Sequence, residues 1–289
     1  MRNWVIAARP ATLPAAVVPV LVGTTAVLHL APFRTLPFAL AFLCSVLIQI
    51  GTNFANDVFD YHKGADTAER LGPTRVTQSG LIPPGRVLAA TYLTFGLAAL
   101  LGLYLVVIGG WPILVAGVLS ILSGLAYTGG PYPLGYHGLG DLFVFVFFGL
   151  VAVTGSGYLQ TGAIEPIALA AAIPTGFLVT AILVVNNLRD ADTDHAAGKM
   201  TLAARFGRRT ARVQYAILVL GAYLFPPLLP LFDRTTDVHW LPLLSLPLGL
   251  FLVRTVATHS DGPALNKTLK LTGMLHMLFG LLFSVSLAL

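Results

Sequence analysis

Across 289 residues, only 10% are charged and 56% are hydrophobic, whereas a soluble globular domain is about 25% charged. This excludes a soluble enzyme and implies a polytopic membrane protein, because an apolar stretch of about 20 residues crosses the hydrocarbon and most of the chain is made of such stretches. The net charge of +5 would suggest nucleic acid in a soluble chain. Here the basic residues fall in loops, where anionic lipid or a phosphorylated substrate is the expected partner and nucleic acid is not. The lone cysteine, Cys44, excludes an internal disulfide and any cysteine-based metal cluster, and reads as a small buried hydrophobe.

Apolar runs punctuated by Pro, Gly and charge predict nine spans in one membrane domain covering 1–289: about 11–31, 36–55, 87–108, 112–128, 141–161, 165–187, 212–232, 240–257 and 270–288. Met1-Arg2-Asn3-Trp4 leads into a run broken by Pro10, Pro14 and Pro19 without a small-residue cleavage site, which reads as a retained first helix. With the amino terminus inside, the cytoplasmic side holds Arg2 and Arg9, then Lys63, Arg70, Arg75 and Arg86. It also holds Arg189, Lys199, Arg205, Arg208, Arg209 and Arg212, then Arg254, Lys267 and Lys270. Of the 17 Lys and Arg, only Arg34 and Arg234 remain outside, and this asymmetry sets the orientation in the cell membrane. Nine spans put the carboxyl terminus outside. Trp4, Trp111 and Trp240 fall at expected interfaces. The outer loops are short, whereas the inner face carries the loops about 56–86, 128–141 and 188–211, so function is expected there.

The first of these loops opens on Asn53-Phe54-Ala55-Asn56-Asp57-Val58-Phe59-Asp60, followed by Lys63 and Asp66, directly after an apolar run. If the helix continues, Asn53, Asn56 or Asp57, and Asp60 line one face. Carboxylates gathered at a membrane helix end resist desolvation and repel one another, so they call for a cation or a functional reason. A second cluster, Asn186-Asn187-Leu188-Arg189-Asp190-Ala191-Asp192-Thr193-Asp194, closes the sixth span four helices later, which suggests two four-helix halves with a ninth helix added. The i,i+4 pairs Asn56/Asp60 and Asp190/Asp194, on facing helices, could share one or two Mg²⁺ ions, whose shells water and substrate phosphates usually complete. Asn56, Asp57, Asp60, Asp190 and Asp194 are thus the candidate catalytic residues, and all but Asp57 the candidate metal ligands. Lys63, Arg75, Arg189 and Lys199 could neutralise a diphosphate. Asp192, on another helical face, reads as solvated.

The loop from Tyr127 to Asp141 is rich in Gly and Pro and carries three tyrosines. Its backbone can approach a ligand, and Tyr127 and Tyr132 could wall an aromatic pocket together with Asn53, Asp66 and Asn187, or serve as interfacial anchors. His137 has no metal-ligand spacing.

Three motifs then stand together. They are Asn53-x-x-Asn56-Asp57-x-x-Asp60 with Lys63-Gly64-Ala65-Asp66-Thr67, Gly72-Pro73-x-Arg75-Val76-x-Gln78-Ser79-Gly80, and Asn186-Asn187-x-Arg189-Asp190-x-x-x-Asp194-x-x-x-Gly198-Lys199-x-Thr201-Leu202. In these the chain resembles the UbiA superfamily of intramembrane prenyltransferases, and within it the branch that prenylates 1,4-dihydroxy-2-naphthoate in menaquinone synthesis. The segment Tyr127-Thr128-Gly129-Gly130-Pro131 through Gly138-Leu139-Gly140-Asp141 strengthens the narrower match. The resemblance implies an all-α membrane fold of nine helices around a central cavity and dependence on Mg²⁺. It also implies transfer of a polyprenyl chain from polyprenyl diphosphate to an aromatic acid, with decarboxylation to demethylmenaquinone if the acceptor is the naphthoate. Asn56 and Asp60 with Asp190 and Asp194 would then hold the metal and diphosphate. The chain departs from many members in carrying Gly64 where they have Asp, with Asp66 two residues later, a pattern the naphthoate branch shares.

Two other readings remain. Another aromatic acceptor, 4-hydroxybenzoate or homogentisate, would fit the same motifs. A cation-coupled secondary transporter would place its acidic groups near the bilayer midplane, whereas here they sit at the inner boundary. The Asp-Gly-x-x-Ala-Arg signature of a CDP-alcohol phosphotransferase breaks off after Asp261-Gly262.

Overall fold

The structure, a computed structural model, describes residues 1–65, 72–233 and 239–289. Asp66, Arg70 and Arg234 lie outside the described residues. The described residues form helices joined by turns, without strands: α1 Arg2–Ala8, α2 Pro14–Thr25, α3 Thr35–His62, α4 Pro84–Ala126, α5 Gly140–Thr161, α6 Pro166–Arg189, α7 Ala191–Ala196, α8 Leu202–Ala222, α9 Leu246–Thr258 and α10 Gly262–Ala288. Local chemistry sets their starts. Proline occupies the first turn of α2, α4 and α6, where its missing N–H costs nothing. The side chains of Thr201 and Asp261 cap α8 and α10 by accepting the N–H of Ala204 at 3.2 Å and of Ala264 at 2.9 Å.

The all-helical, multi-pass membrane fold is as expected from the sequence, but the count of nine is not reproduced. Six helices among the described residues are long and apolar enough to cross a membrane, or seven if α1 and α2, bent by 49°, are one span. The difference has two physical sources. α4 counts once over 43 residues, although at about 1.5 Å per residue a straight helix of that length would be twice as long as the ~30 Å hydrocarbon layer. It breaks at Gly110, with φ 69° and ψ −159°, a conformation open to glycine, and Pro112 follows without an N–H to continue the ladder. The two limbs fold back on one another, because a Cβ on Gly124 would lie 3.2 Å from the ring of Phe95. The limbs on either side of Gly110 are therefore two helices joined at a kink, and they correspond to the expected spans 87–108 and 112–128. The expected span 212–232 is divided between α8, whose first half carries arginines, and a short 3₁₀ segment at Pro226–Leu231.

α6 is the centre of the packing. In its apolar window 72% of residues are buried, against 11% in that of α4, so α6 is a core post and α4 largely a lipid-facing hairpin. Small residues bring its neighbours close, as is usual where lipid supplies no hydrophobic drive between helices. A Cβ on Gly149 of α5 would sit 2.7 Å from the Cα of Gly176 on α6, and a Cβ on Gly23 of α2 would sit 2.0 Å from the carbonyl oxygen of Val153 on α5.

The two ends of the bundle differ. At one end Arg34 donates to the Leu159 carbonyl at 3.1 Å and Tyr158 to that of Gly109 at 3.0 Å. At the other end α3 finishes with its acidic motif. There Asp57 is buried and accepts the backbone N–H of Thr77 at 2.9 Å and of Val76 at 3.1 Å, with Arg9 3.8 Å away. Nineteen or more residues separate these partners, so one carboxylate fixes the loop entering α4 against α3.

Two outcomes follow from this packing. Gly23→Leu drives a side chain into the α5 backbone and should cost at least the ~1–3 kcal/mol typical of overpacking, read as a lower melting midpoint in detergent. Asp57→Ala strands two buried N–H groups, at about 1–3 kcal/mol, and should speed tryptic cleavage after Arg75, which is 6% exposed in the native fold.

Candidate active site

The acidic motif of α3, the loop after α4 and the α6–α7 junction converge at one end of the bundle. Asp60, 2% exposed, is held between two donors: Arg75 Nη2 reaches Oδ2 at 3.0 Å and the Tyr136 hydroxyl reaches Oδ1 at 2.9 Å. The ring of Tyr136 faces two lysines, Lys63 Nζ at 4.9 Å and Lys199 Nζ at 5.8 Å from its centroid. Lys199 Nζ is in turn 3.4 Å from Oδ1 of Asp194 on α7, and the Met200 N–H donates to the Tyr136 carbonyl at 3.0 Å. One tyrosine therefore links the first acidic cluster to the second. Burial lowers the pKa of Lys63 below the ordinary lysine value, and the charge of Asp60 opposes this.

Asn56 is half-buried one turn before Asp60, and its Oδ1 accepts the Thr128 hydroxyl at 3.0 Å. Asp190 ends α6 with its carboxylate gripped by both Nε and Nη2 of Arg189, the bidentate geometry that suits guanidinium and carboxylate. Arg189 also donates to Asn186 Oδ1 at 2.9 Å and to Asn266 Oδ1 of α10 at 2.8 Å. Its guanidinium is therefore committed to orienting Asp190 and tying α6 to α10. Asp192 pairs with Arg208 at 2.9 Å on the surface, 83% exposed at its side chain.

Of the expected pocket residues, Tyr127 faces an apolar cavity between α3, α4 and α5, and burial first, then the charges of Asp141, Asp60 and Asp194, raise the pKa of its phenol. Asn187 is buried in the last turn of α6. Asn53 spends its amide on the Ala8 carbonyl and the Thr12 hydroxyl, each at 2.9 Å, and so anchors the amino-terminal bend. Tyr132 is 58% exposed and stacks on His137 with centroids 3.6 Å apart. Asp57 faces the loop at 76–77, as described above. The sequence reading did not single out Tyr136, Thr128 or Asn266, nor Asp141. The buried carboxylate of Asp141 accepts from Gln214 at 3.4 Å, while its Oδ1 has no hydrogen-bond partner among the described residues.

No group of three His, Cys, Asp or Glu gathers into a preformed metal cage among the described residues. The side-chain oxygens of Asn56, Asp60, Asp190 and Asp194 are of the hard kind that Mg²⁺ prefers, an ion usually bound by one or two carboxylates plus substrate phosphates rather than by an all-protein cage.

The UbiA prenyltransferase family model matches residues 16–279. The chain is 38% identical to 1,4-dihydroxy-2-naphthoate octaprenyltransferase of Escherichia coli strain K12, covering 97% of this chain and 93% of that one. It is 39% identical to the protein of the same name from Mycobacterium tuberculosis, covering 99% and 97%. Among solved structures, a UbiA homolog from Archaeoglobus fulgidus bound to GPP and Mg²⁺ superposes with a TM-score of 0.71 at 16% identity, covering 99% of this chain and all of that one. The apo UbiA homolog from Aeropyrum pernix K1 gives 0.72 at 14% identity, covering 95% and 96%. The archaeal likenesses show the fold, the bacterial identities and the family match extend over nearly the whole chain, and the chain belongs to the UbiA prenyltransferase family.

Proposed function

We propose that this protein transfers a polyprenyl chain from its diphosphate to 1,4-dihydroxy-2-naphthoate, with loss of carbon dioxide, to give the reduced, hydroquinone form of demethylmenaquinone. The reaction would take place at the cytoplasmic face of the cell membrane. The observation that carries the reading is that Tyr136 bonds Asp60 of the first acidic cluster and faces Lys199, the partner of Asp194 in the second, while its neighbour Gly135 packs on Tyr127 in the wall of an apolar cavity. A charged head group and a greasy tail find adjoining environments there. The names of the bacterial relatives supply the acceptor and the presence of GPP with Mg²⁺ in the archaeal homolog supports the donor.

Asn56, Asp60, Asp190 and Asp194 would hold Mg²⁺, which supplies positive charge against the oxygens of the leaving diphosphate. Lys63, Arg75 and Lys199 stand where they can pass from Asp60, Asp194 and the Tyr136 ring to those oxygens, adding fixed positive charge where negative charge grows. Arg189 keeps Asp190 in place. As the allylic C–O bond breaks, the aromatic faces of Tyr127 and Tyr136 can stabilise the cation left on the tail, and the apolar walls keep water from it. The ring carbon bearing the carboxylate then bonds to the allylic carbon. Carbon dioxide leaves from that carbon, its bonding electrons returning to the ring.

Purified protein given labelled polyprenyl diphosphate should prenylate the naphthoate in preference to 4-hydroxybenzoate or homogentisate, and should release label from a carboxyl-labelled acceptor. Chelation should abolish turnover and added Mg²⁺ restore it. Vesicles that accumulate solute without forming prenylated product would instead support a transporter.

Asp60→Asn and Asp194→Asn should each reduce kcat by at least ~100-fold, a loss on the scale of removing a charge-stabilising group; Asp194→Asn, whose partner Lys199 is 16% exposed at its side chain, should melt close to the parent, whereas Asp60→Asn leaves the buried Arg75 without its counter-charge and should melt lower. Asp190→Ala tests something else. It leaves Arg189 buried and uncompensated, so a stability loss of about 3–5 kcal/mol should accompany the lost activity.

A further inference from the structure

Among the described residues the buried carboxylates are Asp57, Asp60, Asp141, Asp190 and Asp194. Asp141 differs from the other four in meeting neither a cation nor a backbone N–H. It is 8% exposed, Gln214 of α8 reaches its Oδ2 only at 3.4 Å, and its Oδ1 has no hydrogen-bond partner among the described residues. A carboxylate held this way has given up water that nothing replaces. The diphosphate site makes no use of it.

Asp141 stands in the first turn of α5, and Val144, one turn further along the same face, lines the apolar chamber beside Tyr127. The preceding residue, Gly140, lies against the Tyr127 hydroxyl, which is 2.8 Å from where a Cβ would be. The charge of Asp141 acts on that phenol more strongly than those of Asp60 and Asp194. The Tyr127 phenol is thus the meeting point of the two acidic clusters and a carboxylate outside both. Phe143 and Phe147 continue the chamber wall and stack with centroids 5.8 Å apart and planes at 25°, an aromatic face on which a fused ring can lie.

What Asp141 lacks is a donor. The naphthoate acceptor has two hydroxyls and a carboxylate to place. Its carboxylate is repelled by Asp141 and drawn to the cations that surround Asp60 and Asp194. One hydroxyl stands beside that carboxylate and is held by it in an internal hydrogen bond, whereas the other lies across the ring with its proton free. A bond from that free hydroxyl to Asp141 is charge-assisted and about twice as strong as a neutral one.

We propose that Asp141 selects the acceptor: its Oδ1 receives the hydroxyl of the dihydroxynaphthoate remote from the carboxylate, with the fused ring against Tyr127 and Phe143. This rests on the prenyltransferase reading above and deepens it, by naming the group that tells a dihydroxylated ring from one without that hydroxyl. The hydroxyl is meta to the carbon that bonds to the tail, so it does little for the reactivity of that carbon and its recognition is a matter of fit. A site built around such a donor rejects the analogue lacking it, because the carboxylate is then buried and unmet.

The test compares 1,4-dihydroxy-2-naphthoate with 1-hydroxy-2-naphthoate, which lacks only that hydroxyl, using the full chain in lipid nanodiscs and one polyprenyl diphosphate. The parent should prefer the dihydroxy acid at least ~10-fold in kcat/KM, the scale of one hydrogen bond to a charged group. In Asp141→Leu the preference should fall to ~3-fold or less, with KM for the diphosphate within about twofold of the parent value. Leucine is expected to fold here, because an apolar residue of similar volume in place of an unmet buried charge is often neutral or stabilising. Asp141→Asn keeps the shape and a weaker, neutral acceptor, should lower the preference at least ~3-fold, and decides the matter if the leucine variant does not fold. Each preference is a ratio within one preparation, so partial unfolding cancels. A preference unchanged in every folded variant, with turnover of both acids reduced together, would mark a structural carboxylate and overturn the proposal, as would a parent that does not distinguish the acids. A parent inactive with both acids would overturn the prenyltransferase reading itself.

Discussion

A carboxylate buried at the edge of a bilayer must have its charge met, because an uncompensated ion in a low-dielectric interior costs several kcal/mol. Asp57, Asp60, Asp190 and Asp194, at one end of this bundle, each obey that constraint, and the architecture there follows from how they do so. Asp57 takes two backbone N–H groups of the loop at 76–77. Asp60 takes Arg75 and Tyr136, Asp190 takes Arg189, and Asp194 takes Lys199. These four solutions differ in what they allow. The partners of Asp57 are main chain, and Arg189 is locked to α6 and α10 at once, so both carboxylates are fixed. Asp60 and Asp194 are met instead by side chains from the segments between the long helices. Under the proposed reaction, a diphosphate arriving with its metal finds these cations already present and exchanges partners with them, so the site stays near neutrality throughout.

This distinction explains what could be read from the chain and what could not. The spacing of Asn53, Asn56, Asp57 and Asp60 places them along one extended helix, and α3 does run to His62. Periodicity cannot show which side chain meets which loop. Asp57 and Asp60 share a face by spacing, yet one is captured by backbone at 76–77 and the other by Tyr136, 76 residues away. Arg189 looks like an anion binder in sequence because it stands beside two acidic residues. Its commitment to Asn266 depends on α10 packing against α6, 77 residues further along the chain. Tyr136 is one of three tyrosines in its loop, and no local pattern marks it out from Tyr132, which lies on the surface. The break in α4 was legible, by contrast: Gly110 turns the chain at a positive φ between its two limbs, where the Gly-Gly-Trp-Pro punctuation separates the expected spans 87–108 and 112–128.

The molecule also divides by packing. α6, with α2, α8 and α10 around it, carries the largest continuous core, and its lower end presents Asp190 and leads into Asp194. α3 and α4 are far less buried, and they contribute Asn56, Asp60 and most of the chamber wall. The candidate site thus lies on the seam between a rigid body and a lipid-facing hairpin. A donor of this kind needs both properties. Its head group demands charges held to within a fraction of an ångström, which dense packing and shared hydrogen bonds provide. Its tail needs only apolar surface. A uniformly tight bundle would position the diphosphate well and exclude a long tail, and a uniformly loose one would admit the tail but leave the carboxylates free to take up water. Placing Asp190 and Asp194 on the packed half and the cavity against the open half satisfies both requirements within one chain.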